Sequence, residues 1–159
     1  MVATVTVVRR GNADAMLHRM KSAIRGPSKV KVGFPMGAVD GEELQKAVWQ
    51  EFGTAGGASG GGWGGPIPER PFFRNAMREN RDRYRRLLAS DGRKILLGEM
   101  MMTTTLNRLG LVAQGDVQES IASNTPPPLS PVTIERKGST KTLIDTGAMR
   151  QSVTYEVQR

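Results

Sequence analysis

Cysteine is absent from this chain of 159 residues, and histidine occurs only once, at His18. Without cysteine the chain can form no disulfide framework, which suits a cytosolic product. A transition-metal site has almost no ligands available, so we expect no metal and no other cofactor. A Ser-His-Asp triad would have to use His18, which lies in a helical pattern with no serine motif nearby. We therefore expect no catalytic residues, and an exposed His18.

Long apolar runs and acidic charge are also scarce. No apolar run reaches the length that spans a membrane, and Arg9 and Arg10 follow an apolar run, the reverse of a secretory signal peptide. We expect a soluble, unexported protein with no membrane partner. Lys and Arg number 23 against 15 Asp and Glu, which gives a net charge of +8. This balance favours an acidic partner, either nucleic acid or an acidic protein surface.

Aromatic residues make up only 5% of the chain and hydrophobic residues 38%. A length of 159 residues predicts one domain over residues 1–159 with a single modest core. Glycine and proline are concentrated in two stretches. Eight glycines fall between positions 53 and 65, which predicts a flexible Gly-rich loop over residues 53–66. The prolines predict an extended Pro-rich loop or arm over residues 124–144.

Alternation of apolar and polar residues indicates three strands. Val and Thr alternate over residues 2–8, and the stretch 28–34 places apolar residues on one face and lysines on the other. The stretch 152–157 alternates in the same way. Strands of this kind, half apolar and half polar, are typical of an antiparallel sheet with one face on a core.

Apolar residues at helical spacing indicate further elements, which begin after capping residues or at proline. The helical stretches cover residues 13–24, 41–52, 71–88 and 94–123. We expect a kink or an interruption at Gly98, Gly110 and Gly115 in the last of them. The predicted fold class is therefore α+β, with a small, mainly antiparallel sheet packed by two or more helices and with long Gly-rich and Pro-rich loops.

The helix predicted over residues 71–88 carries two stripes about 100° apart. The apolar stripe, which we expect to pack, consists of Phe73, Met77, Tyr84 and Leu88. The basic stripe consists of Arg74, Arg78, Arg81 and Arg85. This stripe is a candidate surface for DNA or for a protein partner, and a solvated helix face is the alternative.

The tetrapeptide Asp145-Thr146-Gly147-Ala148 has the local signature of a retroviral-type aspartic protease. Such an enzyme needs two aspartates that share one proton, the second from another subunit, in a chain that is nearly all β. The predicted helices leave no β-barrel to hold that pair. We therefore favour a structural interpretation, in which Asp145, Thr146 and Gly147 form a turn and helix cap before the last strand.

Trp63 lies in the middle of the Gly-rich loop. So many glycines make the loop costly to order, yet a large aromatic ring on a flexible tether can anchor a partner. We hypothesise that assembly orders the loop against an adjacent subunit or ring, with Trp63 as the buried contact. The alternative is a loose spacer whose tryptophan covers its own subunit.

Three segments in sequence order are more specific than any single motif: AVWQEFGT, IPERPFFRNAM and PPPLSPVTIERKGSTKTLIDTGAMRQSVTYEV. The set resembles the neck and tail-completion proteins of long-tailed bacteriophages, a virion-morphogenesis family. The matching places are Glu51 to Gly53, Ile67 to Phe72, Pro128 to Thr133, Lys137, and Leu143 to Gly147. The departures are the high glycine content between Gly53 and Ile67 and Met149, which stands where a leucine is more usual.

The resemblance implies a structural protein of the phage virion, without catalytic activity and assembled in the cytoplasm of the bacterial host. It implies a homo-oligomeric ring around the DNA channel that joins the connector to the tail, with a hexamer as the first expectation and a dodecamer as the second. The implied partners are adjacent connector or neck proteins, tail-terminator or tail-tube proteins, and the genomic DNA. The alternative, which follows from charge, is a basic DNA-binding protein without catalytic activity.

Overall fold

The computed structural model describes residues 13–35, 37, 39–56, 66–123, 125–144 and 146–159. The described part is α+β, as predicted, and the strand predicted over residues 2–8 lies outside it. Its elements are α1 (Ala13–Ile24), β1 (Lys29–Gly33), α2 (Gly41–Phe52), α3 (Phe72–Glu79), α4 (Arg81–Leu96), α5 (Met102–Ala122), α6 (Pro131–Lys137), α7 (Ala148–Gln151) and β2 (Thr154–Gln158).

The two strands form an antiparallel pair in which Lys29 lies opposite Gln158 and Gly33 lies opposite Thr154. Helix α5 packs against both strands. The contact is close at Gly110, where a Cβ atom would lie 2.3 Å from Cδ2 of Tyr155. Only glycine leaves room for the tyrosine ring at this crossing, so Gly110 sets the distance between helix and sheet.

The hydrophobic core lies where α2, α3, α5 and the C-terminal segment meet. Phe34, which follows β1, packs edge-on against Phe72 with ring centroids 6.5 Å apart. The fully buried members of the core are Ala47, Phe72, Ala76, Val117, Ile121, Leu143, Met149 and Val153. Residues between Val32 and Val153 therefore share one core.

Local capping sets the ends of α2. The Asp40 carboxylate accepts the backbone N–H of Glu42 at 3.3 Å, and the N–H of Gly53 donates to the Trp49 carbonyl at 2.8 Å. Both interactions satisfy backbone groups that a helix end leaves without a partner. The predicted bounds of α2 are confirmed for this reason, and the observed helix Ala13–Ile24 confirms those of α1.

The single helix predicted over residues 71–88 was wrong in both its continuity and its end. Asn80 interrupts it, because its side-chain amide donates to the Ala76 carbonyl at 3.1 Å and its backbone leaves ideal helical angles. Helix α4 then continues well beyond residue 88, to Leu96. The fully buried residues of α3 are Phe72 and Ala76. Phe73 and Met77 of the predicted apolar stripe are partly buried and pack against the core, whereas Leu88 of that stripe is exposed.

Two further predictions of local structure were wrong in part. Gly110 and Gly115 lie inside an unbroken α5, and only Gly98, with a φ of +71°, lies in a connection between helices. The predicted extended arm over residues 124–144 contains α6. The Ser130 hydroxyl accepts the N–H of Thr133 at 3.2 Å, and Gly138 ends the helix with left-handed backbone angles.

Candidate functional site

Arg70 joins the three segments that carry the family resemblance. Its Nε donates to the Pro127 carbonyl and one terminal nitrogen donates to Oε1 of Gln50, both at 2.9 Å. Its backbone N–H also donates to the Gln50 carbonyl at 2.7 Å. Only 3% of Arg70 is exposed, and this burial lowers its pKa from the usual arginine value. The three segments therefore meet at one buried guanidinium.

Glu51 caps α3 from the neighbouring helix. Pro71 precedes α3 and offers no side-chain acceptor, so the first N–H groups of α3 need a partner from elsewhere. Glu51 supplies it, because Oε2 accepts the N–H of Phe73 at 2.8 Å and Oε1 accepts the N–H of Arg74 at 3.1 Å. Only 6% of Glu51 is exposed, and a carboxylate at a helix N-terminus also complements the helix dipole.

The Arg74 side chain is held by two carboxylates. Its Nε donates to Oε1 of Glu51 at 2.8 Å, and a terminal nitrogen pairs with Glu69. These hydrogen bonds, the one to Glu51 first, raise the pKa of Arg74 above its usual value. The guanidinium also lies 5.1 Å from the ring centroid of Phe52. Arg74 is thus part of the helix junction rather than a free member of a basic stripe.

Both ends of the Gly-rich loop are fixed beside this junction. Gly53 has a φ of +71°, and a Cβ there would lie 3.0 Å from the Ile67 carbonyl oxygen. The N–H of Thr54 donates to that same oxygen at 2.9 Å, and the Thr54 hydroxyl accepts the N–H of Ile67 at 3.2 Å. Trp63 lies outside the described residues, so its role as an interface anchor remains a prediction.

An open apolar groove, the α2–α3 groove, lies next to the same junction. It has a volume of about 210 Å³ and is lined by Phe34, Ala47, Val48, Phe52, Phe72 and Phe73, with Glu51 and Arg74 as its charged members. Phe52 is 64% exposed and Val48 is 46% exposed. Apolar side chains so close together on a surface are typical of a protein contact site.

The predicted arginine stripe is divided by the break at Asn80. Arg74 is engaged by Glu51 and Glu69, whereas Arg78, Arg81 and Arg85 are exposed. Arg86 is a further exposed arginine on α4, and we call Arg81, Arg85 and Arg86 the α4 arginine face. Within this face, Arg85 lies 3.9 Å from the exposed Asp82. The cationic surface is therefore centred on α4 and not on α3.

Two other arginines serve buried carboxylates. Arg83 pairs with Asp116 at 2.8 Å, and Arg108 pairs with Asp91 at 2.6 Å. The Tyr84 hydroxyl and Oδ2 of Asp116 are buried, and neither is in hydrogen-bonding geometry with a partner in the described residues. Burial, and after it the nearby Asp116 carboxylate, raises the pKa of Tyr84. These ion pairs join α4 to α5.

Thr146 and Gly147, from the segment that resembles a protease motif, form a turn in front of α7. The Thr146 hydroxyl accepts the N–H of Ala148 at 3.3 Å, and Gly147 has a φ of +84°. The turn delivers Met149 into the core, where it is buried. Thr146 and Gly147 therefore have backbone roles, while Asp145 lies outside the described residues. The only sheet in the described part of the chain has two strands, so that part contains no β-barrel that could hold a pair of carboxylates.

His18 lies on α1 and is exposed, as predicted. Within the described ranges, no three His, Cys, Asp or Glu side chains are grouped closely enough to hold a metal ion. None of the helices in the part of the chain that the structure describes is long and apolar enough to cross a membrane. Comparison with protein-family models, curated proteins and solved structures finds no match to this chain.

Proposed function

We propose that this protein is a structural virion protein of the head-tail junction of a long-tailed bacteriophage, acting in the neck or in tail completion. It forms a ring around the DNA channel and joins the connector to the tail. The observation that carries the proposal is the position of Arg70, which links the three motif segments through Gln50 and Pro127. Gln50 and Pro127 lie directly beside the matching places Glu51 to Gly53 and Pro128 to Thr133, so the resembling segments meet at one buried side chain.

The surfaces of the chain support a role in assembly. The α2–α3 groove offers exposed aromatic area to a protein partner, and the α4 arginine face offers positive charge toward DNA. A small subunit that contacts its copies through two different surfaces closes into a ring when the rotation between copies allows it. We propose a hexamer first and a dodecamer second.

Mass photometry and electron microscopy test the ring directly. The purified protein, alone and mixed with its connector and tail partners, should form closed rings of six or twelve copies. Purified virions should contain the protein at the head-tail junction. A protein that is strictly monomeric under all these conditions, and is absent from virions, would overturn the proposal.

A second candidate function is DNA binding without catalysis. It is favoured by α4, which carries five arginines and one lysine against two aspartates. Such a protein would bind duplex DNA on its own, with an affinity that falls steeply as salt is raised. An isolated chain that shifts duplex DNA at physiological salt, and never co-purifies with particles, would favour this candidate over the virion protein.

A further inference from the structure

Helix α1 carries a group of basic side chains apart from the α4 arginine face. His18, Lys21 and Arg25 are three or four residues apart, so they lie along one side of the helix, and we call them the α1 basic face. Arg25 directly follows α1, and its backbone N–H donates to the Ser22 carbonyl at 3.3 Å, which extends the last turn. All three side chains are exposed and line one open recess together with Ser22.

The α1 basic face lies on the side of the helix that is opposite the packed side. Ala23 is the only fully buried residue of α1, and the helix packs on α4. At 100° per residue, Lys21 lies about 160° round the helix from Ala23, and His18 lies about 140° from it. The basic side chains are therefore presented to solvent rather than to the rest of the molecule.

The two cations of this face are not bound by the rest of the described chain. The side chains of Lys21 and Arg25 form no hydrogen bond or ion pair within the described residues. Asp14, the one acidic residue of α1, lies in the first turn, seven residues before Lys21, and does not line the recess. Like charges four residues apart on a helix repel each other, so an anion bound between Lys21 and Arg25 would relieve that repulsion.

The side chains of the recess are the donor types that bind phosphate oxygens. An arginine guanidinium matches a phosphate with two parallel N–H groups, and a lysine ammonium binds it as a point charge. The Ser22 hydroxyl and a ring N–H of His18 can donate to the same kind of oxygen. Contacts of this kind to phosphate position a protein on duplex DNA without reading its sequence.

We propose that the α1 basic face is a second DNA-contacting surface of this protein, which binds phosphate groups of duplex DNA of any sequence. The inference rests on the proposal that DNA is a partner of this chain, and it identifies a contact outside the α4 arginine face. Because α1 packs on α4, two neighbouring helices would share the neutralisation of DNA phosphates.

The salt dependence of DNA binding tests this contact. In Lys21→Gln/Arg25→Gln, the slope of log affinity against log salt should be shallower by up to about 1.8, since each lost phosphate contact contributes about 0.9. The matched control, Lys31→Gln/Arg136→Gln, removes two exposed charges from β1 and α6 and should change the slope little. The charge-conserving variant Lys21→Arg/Arg25→Lys should keep the slope of the unsubstituted chain.

Anionic lipid headgroups also present phosphate groups, so the same variants are compared on vesicles of phosphatidylglycerol and phosphatidylcholine. The unsubstituted chain should bind duplex DNA at salt concentrations at which it does not bind the vesicles. Vesicle binding that is stronger than DNA binding, and that is lost in Lys21→Gln/Arg25→Gln, would overturn DNA as the ligand of this face.

The outcomes separate this contact from the proposed ring, which mass photometry detects independently. An equal change of slope in the double variant and its control, or no change in the double variant, would overturn the α1 contact, and rings that still form would leave the head-tail proposal in place. A slope reduced only in the double variant, in a chain that stays monomeric and is absent from virions, would support the contact and overturn the ring. A chain that does not bind duplex DNA even at about 50 mM salt would overturn the contact.

Discussion

At the scale of single residues, the junction between α2 and α3 depends on a buried carboxylate. Glu51 accepts two backbone N–H groups at the start of α3 and also binds the Arg74 side chain. Removing such a carboxylate leaves backbone N–H groups with neither a protein partner nor water, and each unpaired group lowers the stability of the fold. Phe52, the next residue in the sequence, is by contrast exposed, so these two neighbouring residues have different roles.

Glu51→Gln should therefore destabilise the fold. The amide keeps one acceptor oxygen but loses the charge and one hydrogen bond to α3, and we expect a loss of about 1–3 kcal/mol in the free energy of unfolding. Glu69→Gln is the matched control, because Glu69 contacts the same arginine but its side chain is 51% exposed. The control should lose less than about 1 kcal/mol. Equal losses in urea unfolding would contradict the capping role of Glu51.

Tyr84 provides a prediction about pH. Burial and the Asp116 carboxylate raise its pKa in the folded chain, whereas an unfolded tyrosine ionises near pH ~10. The folded state holds the phenolic proton more tightly, so the resulting stabilisation is fully present below pH ~10 and is lost as the pH rises through the folded pKa. Stability should therefore fall with rising pH in the alkaline range.

The Tyr155→Phe variant makes this measurable, because Tyr84 is then the only tyrosine. The near-ultraviolet absorbance of phenolate should stay low at about pH 10.5 in the folded protein, and should rise with a midpoint near pH ~10 in concentrated urea. A folded-state midpoint equal to that in urea would show that the environment of Tyr84 does not hold its proton.

At the scale of elements, two glycines of α5 have opposite environments. A Cβ at Gly110 would lie 2.3 Å from the Tyr155 ring, whereas a Cβ at Gly115 would meet no atom within 4 Å. Gly110→Ala should cost about 1–3 kcal/mol, because the ring or the helix must move. Gly115→Ala should gain about 0.5–1 kcal/mol, because alanine favours the helix. Thermal unfolding should shift the two midpoints in opposite directions, and a stabilised Gly110→Ala would contradict the close packing.

The helices and strands that are marked by local capping residues or by alternation of apolar and polar residues could be predicted from the sequence. Asp40 and Gly53 mark the ends of α2, and the alternation around Val30 and Val32 marks β1. The break at Asn80 could not be predicted, because it depends on a side-chain hydrogen bond that competes with an otherwise helical pattern. Helix α6 was missed although Ser130 and Gly138 supply a cap and a stop, since the surrounding prolines favoured an extended chain.

The candidate site was predictable only in part, because its side chains bind partners that are distant in the sequence. The basic residues of α4 follow from helical spacing, but the engagement of Arg74 depends on Glu51 and on Glu69 from outside its helix. Arg70 gave no periodic signal, since it lies in an irregular stretch and its partners are distant in sequence. Only the family resemblance drew attention to the segment that contains it.

At the scale of the whole molecule, the basic residues behind the net charge of +8 differ in what they contact. Arg83 and Arg108 neutralise buried carboxylates, and Arg74 pairs with one buried and one exposed carboxylate, so these cations contribute to folding. The α4 arginine face remains exposed, so we propose it as the surface that would contact DNA phosphates. Net charge alone would predict only that some part of the surface attracts DNA.

Replacement of Arg81, Arg85 and Arg86 by glutamine tests whether DNA binding depends on the α4 arginine face or only on the net charge. The matched control replaces Lys29, Lys31 and Arg136, which are also exposed, and removes the same three charges. In the first variant, the slope of log affinity against log salt for a duplex of arbitrary sequence should be shallower by up to about 2.7. Each lost phosphate contact contributes about 0.9 to that slope. The control should change the slope little. Equal changes in both variants would mean that overall charge, and not the α4 arginine face, attracts the DNA.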